Sequence, residues 1–153
     1  MRRNRFRQLA LLATVASGAF QGILSYHTLV DCLPFRETCQ PLVDRFAAIG
    51  LGALGASTGL ALLVALVVRE PLLPAAPVLA TLLGAALSPA LFLVFSAPEL
   101  AAHPEWLGGD FGLHAAFTEF VRFLPRDATT SLLLGTLLSI VLWALSRRSQ
   151  GAA

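Results

Sequence analysis

From Phe46 to Val68 the chain reads FAAIGLGALGASTGLALLVALVV, 23 residues without a charge, set between Arg45 and Arg69. A helix of that length is about 34 Å long, enough to cross a hydrocarbon core of about 30 Å with some tilt. A soluble helix this long presents a polar face. This one offers only Ser57 and Thr58, whose hydroxyls can bond back to their own helix. Small residues recur at helical spacing: Ala48, Gly52 and Ala56 four apart, with Gly55 and Gly59 beside them. In lipid such residues let backbones approach closely, so the segment is expected to pack centrally against partner helices.

The remainder of the chain agrees with lipid as solvent. Charged residues make up 13% of the 153 residues, about half the share usual in soluble domains. Four spans with short loops would use nearly the whole length as a single domain, 1–153. The expected spans are 9–30, 46–68, 75–97 and 129–145, with external loops 31–44 and 98–128. The fold class expected is therefore an all-α integral membrane protein with four transmembrane helices and a short amphipathic external helix between the third and fourth. All eleven basic residues are Arg, and a net charge of +2 is too small to suggest a nucleic-acid partner.

The first apolar run follows MRRNRFR and extends from Leu9 to Val30. Ser17-Gly18-Ala19 resembles a cleavage site, but the run's length suits a retained span better than a leader. It is the most polar span, with Ser17, Gln21 and Ser25 on one stripe and Gly18 and Gly22 on another. Polar stripes in lipid turn inward, where Gln21 can find a partner. In the third span Gly84 and Ser88 mark a packing face, and Pro89 is expected to kink the helix. Ser96-Ala97-Pro98-Glu99 has the form of a capping box that starts a new helix. Asp110 is expected to cap an amphipathic helix from Phe111 to Leu124, stopped by Pro125 and lying along the membrane surface. In the last span Ser131, Gly135 and Ser139 form the packing stripe, with Trp143 as interfacial anchor before Arg147 and Arg148.

With four spans both termini share a side, which holds seven Arg against four on the other. The positive-inside rule then puts the termini in the cytoplasm, in a bacterial inner membrane. His27, His103 and His114 with Glu105 are the weak candidates for metal ligation, but their spacing matches no compact ligand motif. No cofactor is expected. No Asp, Glu, Lys or Arg falls within the four expected spans, whereas ion pathways and proton relays generally carry such residues.

These features favour a non-catalytic protein acting through helix–helix contacts, as an accessory or assembly subunit of a membrane complex or as a homo-oligomer. Its partners would be the lipid bilayer and other membrane subunits or copies of itself. One alternative is a small channel or transporter lined by Ser17, Gln21, Ser25, Thr58 and Ser88. Another is a periplasm-facing thiol or metal redox protein built on Cys32 and Cys39.

Cys32 and Cys39 lie on the expected external side, where thiols oxidise. Their spacing is wider than the two-residue spacing of reactive pairs, which favours a structural bridge. Closing this loop would contribute roughly 2.5 kcal/mol in the chain-entropy model. Thiol alkylation of intact membranes should therefore label neither cysteine until reductant is added; labelling without reductant removes the disulfide.

Overall fold

The computed structural model describes residues 3–31, 40–102 and 112–150, with side chains described over 4–27, 51–94 and most of 97–148. The described residues are helical almost throughout. Helix α1 covers Arg3–Asp31, α2 Gln40–Val67, α3 Ala76–Leu91, α4 Ala97–Ala102 and α5 Leu113–Gln150. A 3₁₀ turn, Glu70–Ala75, leads into α3, and a π-helical turn, Phe92–Ser96, joins α3 to α4. Three stretches are long and apolar enough to cross a membrane: Asn4–His27, Glu70–Val94 and Phe120–Arg148. The apolar part of α2 with described side chains, Leu51–Val67, is shorter.

Helices α1 and α3 form the central pair, and each also packs against both α2 and α5. Helix α2 therefore flanks the bundle instead of occupying its centre, contrary to the expectation from its small residues. The physical reason is that its buried residues, Ser57, Ala61, Val64 and Ala65, fall on one side. Gly55 and Gly59 face outward, with nothing within 4 Å of a Cβ placed on either.

Close approach is made by glycines on other helices. A Cβ on Gly18 would collide with the Ala61 side chain and lie 2.8 Å from the Ser57 carbonyl oxygen. One on Gly22 would lie 2.8 Å from the Leu54 Cα, so both glycines press α1 onto the backbone of α2. Gly135 does the same for α5 on α3, 2.7 Å from Thr81 Oγ1 and 3.1 Å from the Pro77 carbonyl oxygen. At one end of the bundle Ala10, Leu73 and Leu142 cluster with Phe6 and Ala13. This brings together the start of α1, the turn before α3 and the end of α5. Arg5, Arg7, Arg69, Arg147 and Arg148 accordingly share that end.

Several sequence expectations are corrected. The amphipathic helix over 111–124 and the span over 129–145 are one helix, α5, with Pro125 inside it. Proline removes one backbone donor, but packing on either side of it holds the helix. Phe117 and Phe120 stack on Phe92 at 5.5 and 4.7 Å between ring centroids, and beyond the proline Asp127 and Ser131 are buried. The apolar stretch Phe120–Arg148 thus contains Asp127, Arg122 and Arg126, so charge is not confined to loops. Pro41 lies in the first turn of α2, where its missing N–H is harmless, so the expected loop 31–44 is shortened from Gln40 onward. Loop 98–128 shrinks at both ends in the same way. Helix α3 runs past Pro89, and its irregularity appears as the π turn at Phe92–Ser96. The short helix expected after Ser96 is α4, but the π turn continues directly into it, so it is not a separate helix with a free N-terminus. The expected Asp110 cap lies outside the described residues.

Gly18→Leu or Gly135→Leu should therefore destabilise the bundle by more than the ~1–3 kcal/mol of an ordinary overpacked site, because backbone must move. Gly55→Leu should leave the midpoint of thermal unfolding in detergent close to wild type within a single copy. Equal losses from all three would overturn this packing.

Candidate functional site

Each long helix sends a stripe of small and polar residues inward at three- and four-residue spacing. On α1 it comprises Ala10, Thr14, Ser17 and Gln21; on α3, Pro77, Thr81, Gly84 and Ser88; on α5, Asp127, Ser131 and Gly135; Ser57 and Ala61 complete it from α2. The spacing follows from the 3.6-residue helical period, which returns such positions to one face. The result is a buried polar core in which Thr14, Ser17, Thr81 and Ser131 have no exposed surface.

Most of the hydroxyls are engaged by their own helices. Thr14 donates to the Ala10 carbonyl at 2.7 Å and Ser88 to the Gly84 carbonyl at 2.8 Å. Ser131 donates to the Ala128 carbonyl at 3.1 Å and Thr81 to the Val78 carbonyl at 2.9 Å. Ser17 donates to the Thr14 carbonyl at 2.7 Å, with the Pro77 carbonyl of α3 3.4 Å away. Such bonds let a hydroxyl sit in an apolar interior without a solvent partner. One bond caps a helix across the bundle. The Val78 N–H, in the first turn of α3 where no intrahelical acceptor exists, donates to Ser139 Oγ of α5 at 3.3 Å.

Gln21 differs from all of these. It is 1% exposed, and neither its amide oxygen nor its amide nitrogen has a hydrogen-bond partner among the described residues. Its aliphatic stem packs on Gly84, where a Cβ would lie 3.1 Å from the Gln21 Cγ. Asp127 is 3% exposed, and its Oδ1 accepts from the Arg126 Nε at 3.4 Å. Arg126 itself reaches outward, with its guanidinium 5.2 Å from the centre of the Phe123 ring.

Of the residues considered for a polar lining, Ser17, Gln21 and Ser88 come together in the interior, while Ser25 and Thr58 are half-buried. Of the packing residues, Gly18, Gly22, Gly84, Ser131 and Gly135 are buried, and Gly52, Ala56 and Ser139 are half-buried. The side chain of Ala48 is outside the described residues. His27 is exposed, its ring tilted against Tyr26 at 5.9 Å, and His114 is exposed on α5. Cys32, Cys39, His103 and Glu105 lie outside the described residues. Among the described residues no three His, Cys, Asp or Glu side chains group to hold a metal ion.

Sequence inspection missed Thr14, Thr81 and Asp127 as interior residues. The signal was present: Asp127, Ser131, Gly135 and Ser139 form an unbroken four-residue ladder, and Thr14 and Thr81 extend the stripes of Ser17 and Gly84. Asp127 falls outside the span expected over 129–145, beyond the helix end expected at Pro125.

Comparison with protein-family models, curated proteins and solved structures gives no match to this chain. What fold and site together define is a class: an all-helical bundle with a small, polar interior and an apolar exterior.

Because an unpaired buried amide costs about 1–3 kcal/mol, Gln21→Leu should be neutral or stabilising in a chemical or thermal melt. Ser139→Ala, which orphans the Val78 N–H, should destabilise by about 1 kcal/mol, the usual scale of a lost cap. A marked loss of stability in Gln21→Leu would mean the amide has a partner.

Proposed function

We propose that the chain is a polytopic protein of the bacterial inner membrane, with four spans and both termini in the cytoplasm. It acts without catalysis, through helix–helix contacts made either with another membrane subunit or with a second copy. The observation that carries this reading is the distribution of residues between inside and outside. Among the described residues, twenty large apolar side chains are exposed, including Leu12, Leu63, Leu83, Leu133 and Leu137, while six of the eleven buried apolar residues are Ala. Water would reject that arrangement, whereas hydrocarbon solvates it. The glycines that bring α1 onto α2 and α5 onto α3 are occupied within the bundle, but Gly55 and Gly59 are not. They leave on α2 a smooth strip where another helix backbone can approach.

A second reading, a small channel or transporter, draws support from Asp127 and Gln21. Ionisable and unpaired polar groups inside an apolar bundle commonly mark a solute or ion path. Against it stand the hydroxyls bound to their own helices and the close glycine contacts, which favour a closed interior.

Reporter fusions after Ala153 and in the Gly108-Gly109 segment should report opposite sides of the membrane; equal signals contradict four spans. Native mass spectrometry from mild detergent should show a defined homo-oligomer or a stoichiometric partner, lost in Gly55→Leu although that variant folds. A monomer without partner, or solute flux through liposomes that Asp127→Asn abolishes, would move the assignment to the second reading.

A further inference from the structure

At the arginine-rich end of the bundle, an open groove of about 390 Å³ lies between the outer side of the 3₁₀ turn before α3 and the last turns of α5. Pro71, Leu72 and Pro74 form one wall, and Thr136, Ser139, Ile140 and Trp143 of α5 the other. At its rim the Arg147 guanidinium lies 3.6 Å from the centre of the Trp143 ring. Arg148 follows on the same helix, and Arg69 immediately precedes the opposite wall, with Glu70 the one acidic residue between Arg69 and Pro71. Leu72 and Ile140 are more than half exposed, so apolar walls stand open directly beside a cationic rim.

We propose that this groove binds one anionic phospholipid, with an acyl chain along the apolar walls and the headgroup phosphate held by Arg147. Charge complementarity selects the occupant. A planar guanidinium presents a fork of donors to phosphate oxygens, and stacking on Trp143 restricts its orientation before the lipid arrives. Trp is at home at the level of lipid headgroups, and basic pockets between helices at the cytoplasmic face suit acidic headgroups. A zwitterionic lipid can offer the same chain and phosphate, but its choline cation faces a rim that is already positive. Proline supplies the shape of the other wall. Pro71 and Pro74 keep the approach to α3 in a 3₁₀ turn, which sets Leu73 inward against Leu142 and leaves Pro71 and Leu72 exposed beside the groove.

The proposal rests on the membrane placement proposed above, and the two are tested separately. Extraction of membranes with alkaline carbonate reads the placement alone: release of the chain into the supernatant would overturn the placement and the lipid site with it. The lipid site is read by native mass spectrometry and thermal unfolding of detergent-purified protein, with added phosphatidylglycerol or phosphatidylcholine. One phosphatidylglycerol should be retained per chain and raise the unfolding midpoint, with phosphatidylcholine retained weakly. Arg147→Gln should reduce phosphatidylglycerol retention about tenfold, the scale of a lost charge-assisted hydrogen bond. Arg5→Gln, which removes the same charge from the same end on another helix, should leave retention unchanged. On the wild-type protein, rising ionic strength should lower retention of phosphatidylglycerol. Equal retention of the two lipids, equal loss in the two variants, or indifference to salt would each overturn the proposal.

Discussion

The contact of α1 with α2 through Gly18 and Gly22 governs much of this structure. Helices dissolved in lipid gain nothing from burying leucine, because the acyl chains are as apolar as the leucine. What draws them together is dispersion between closely approaching surfaces, and that requires residues without side chains at the crossing points. Gly18 over Ala61 and Ser57, and Gly135 over Thr81 and Pro77, meet that requirement on both sides of the α1–α3 pair. Where the backbones are this close, the crossings have room only for small residues such as Ala, Ser and Thr, and most bulky residues turn outward. The buried alanines and the exposed leucines are two consequences of one geometric constraint.

The polar interior follows from the same closeness. Small hydroxyl residues fit where leucine would not, and each can return its proton to a carbonyl one turn back. Because such bonds stay within one helix, they add nothing directly to helix association. Their role here is to make a tight interior tolerable. Gln21 and Asp127 are the larger polar residues of this interior among the described residues.

The apolar stretches, their helical state and the pairing of chain ends were legible in the residues, since the absence of charge over 20 or so positions has few other outcomes. The stripes of Ser17, Gln21, Gly84, Ser88, Ser131 and Gly135 were legible too, because a 3.6-residue period returns them to one face. Helix boundaries at Pro41 and Pro125 were not. Each lies within a helix, where first-turn placement or tertiary packing overrides the local penalty, whereas Pro89 lies inside the third span where it was expected. Which glycines lie in contact was likewise hidden. Gly18 and Gly55 look alike in sequence, and only the helix arrangement decides that one is covered and the other open.

The central claim is that the outer surface of this bundle faces hydrocarbon while its interior stays small and closed. Site-directed spin labelling in reconstituted vesicles tests it most directly, on a background with Cys32 and Cys39 replaced by Ser. Labels at Leu63, Leu83 and Leu137 should relax strongly with dissolved oxygen, which concentrates in acyl chains, and weakly with a water-soluble nickel complex. A label at Leu142 should be reached by neither. Stronger relaxation by nickel at the three outer positions, or free access of either reagent to Leu142, would contradict the account.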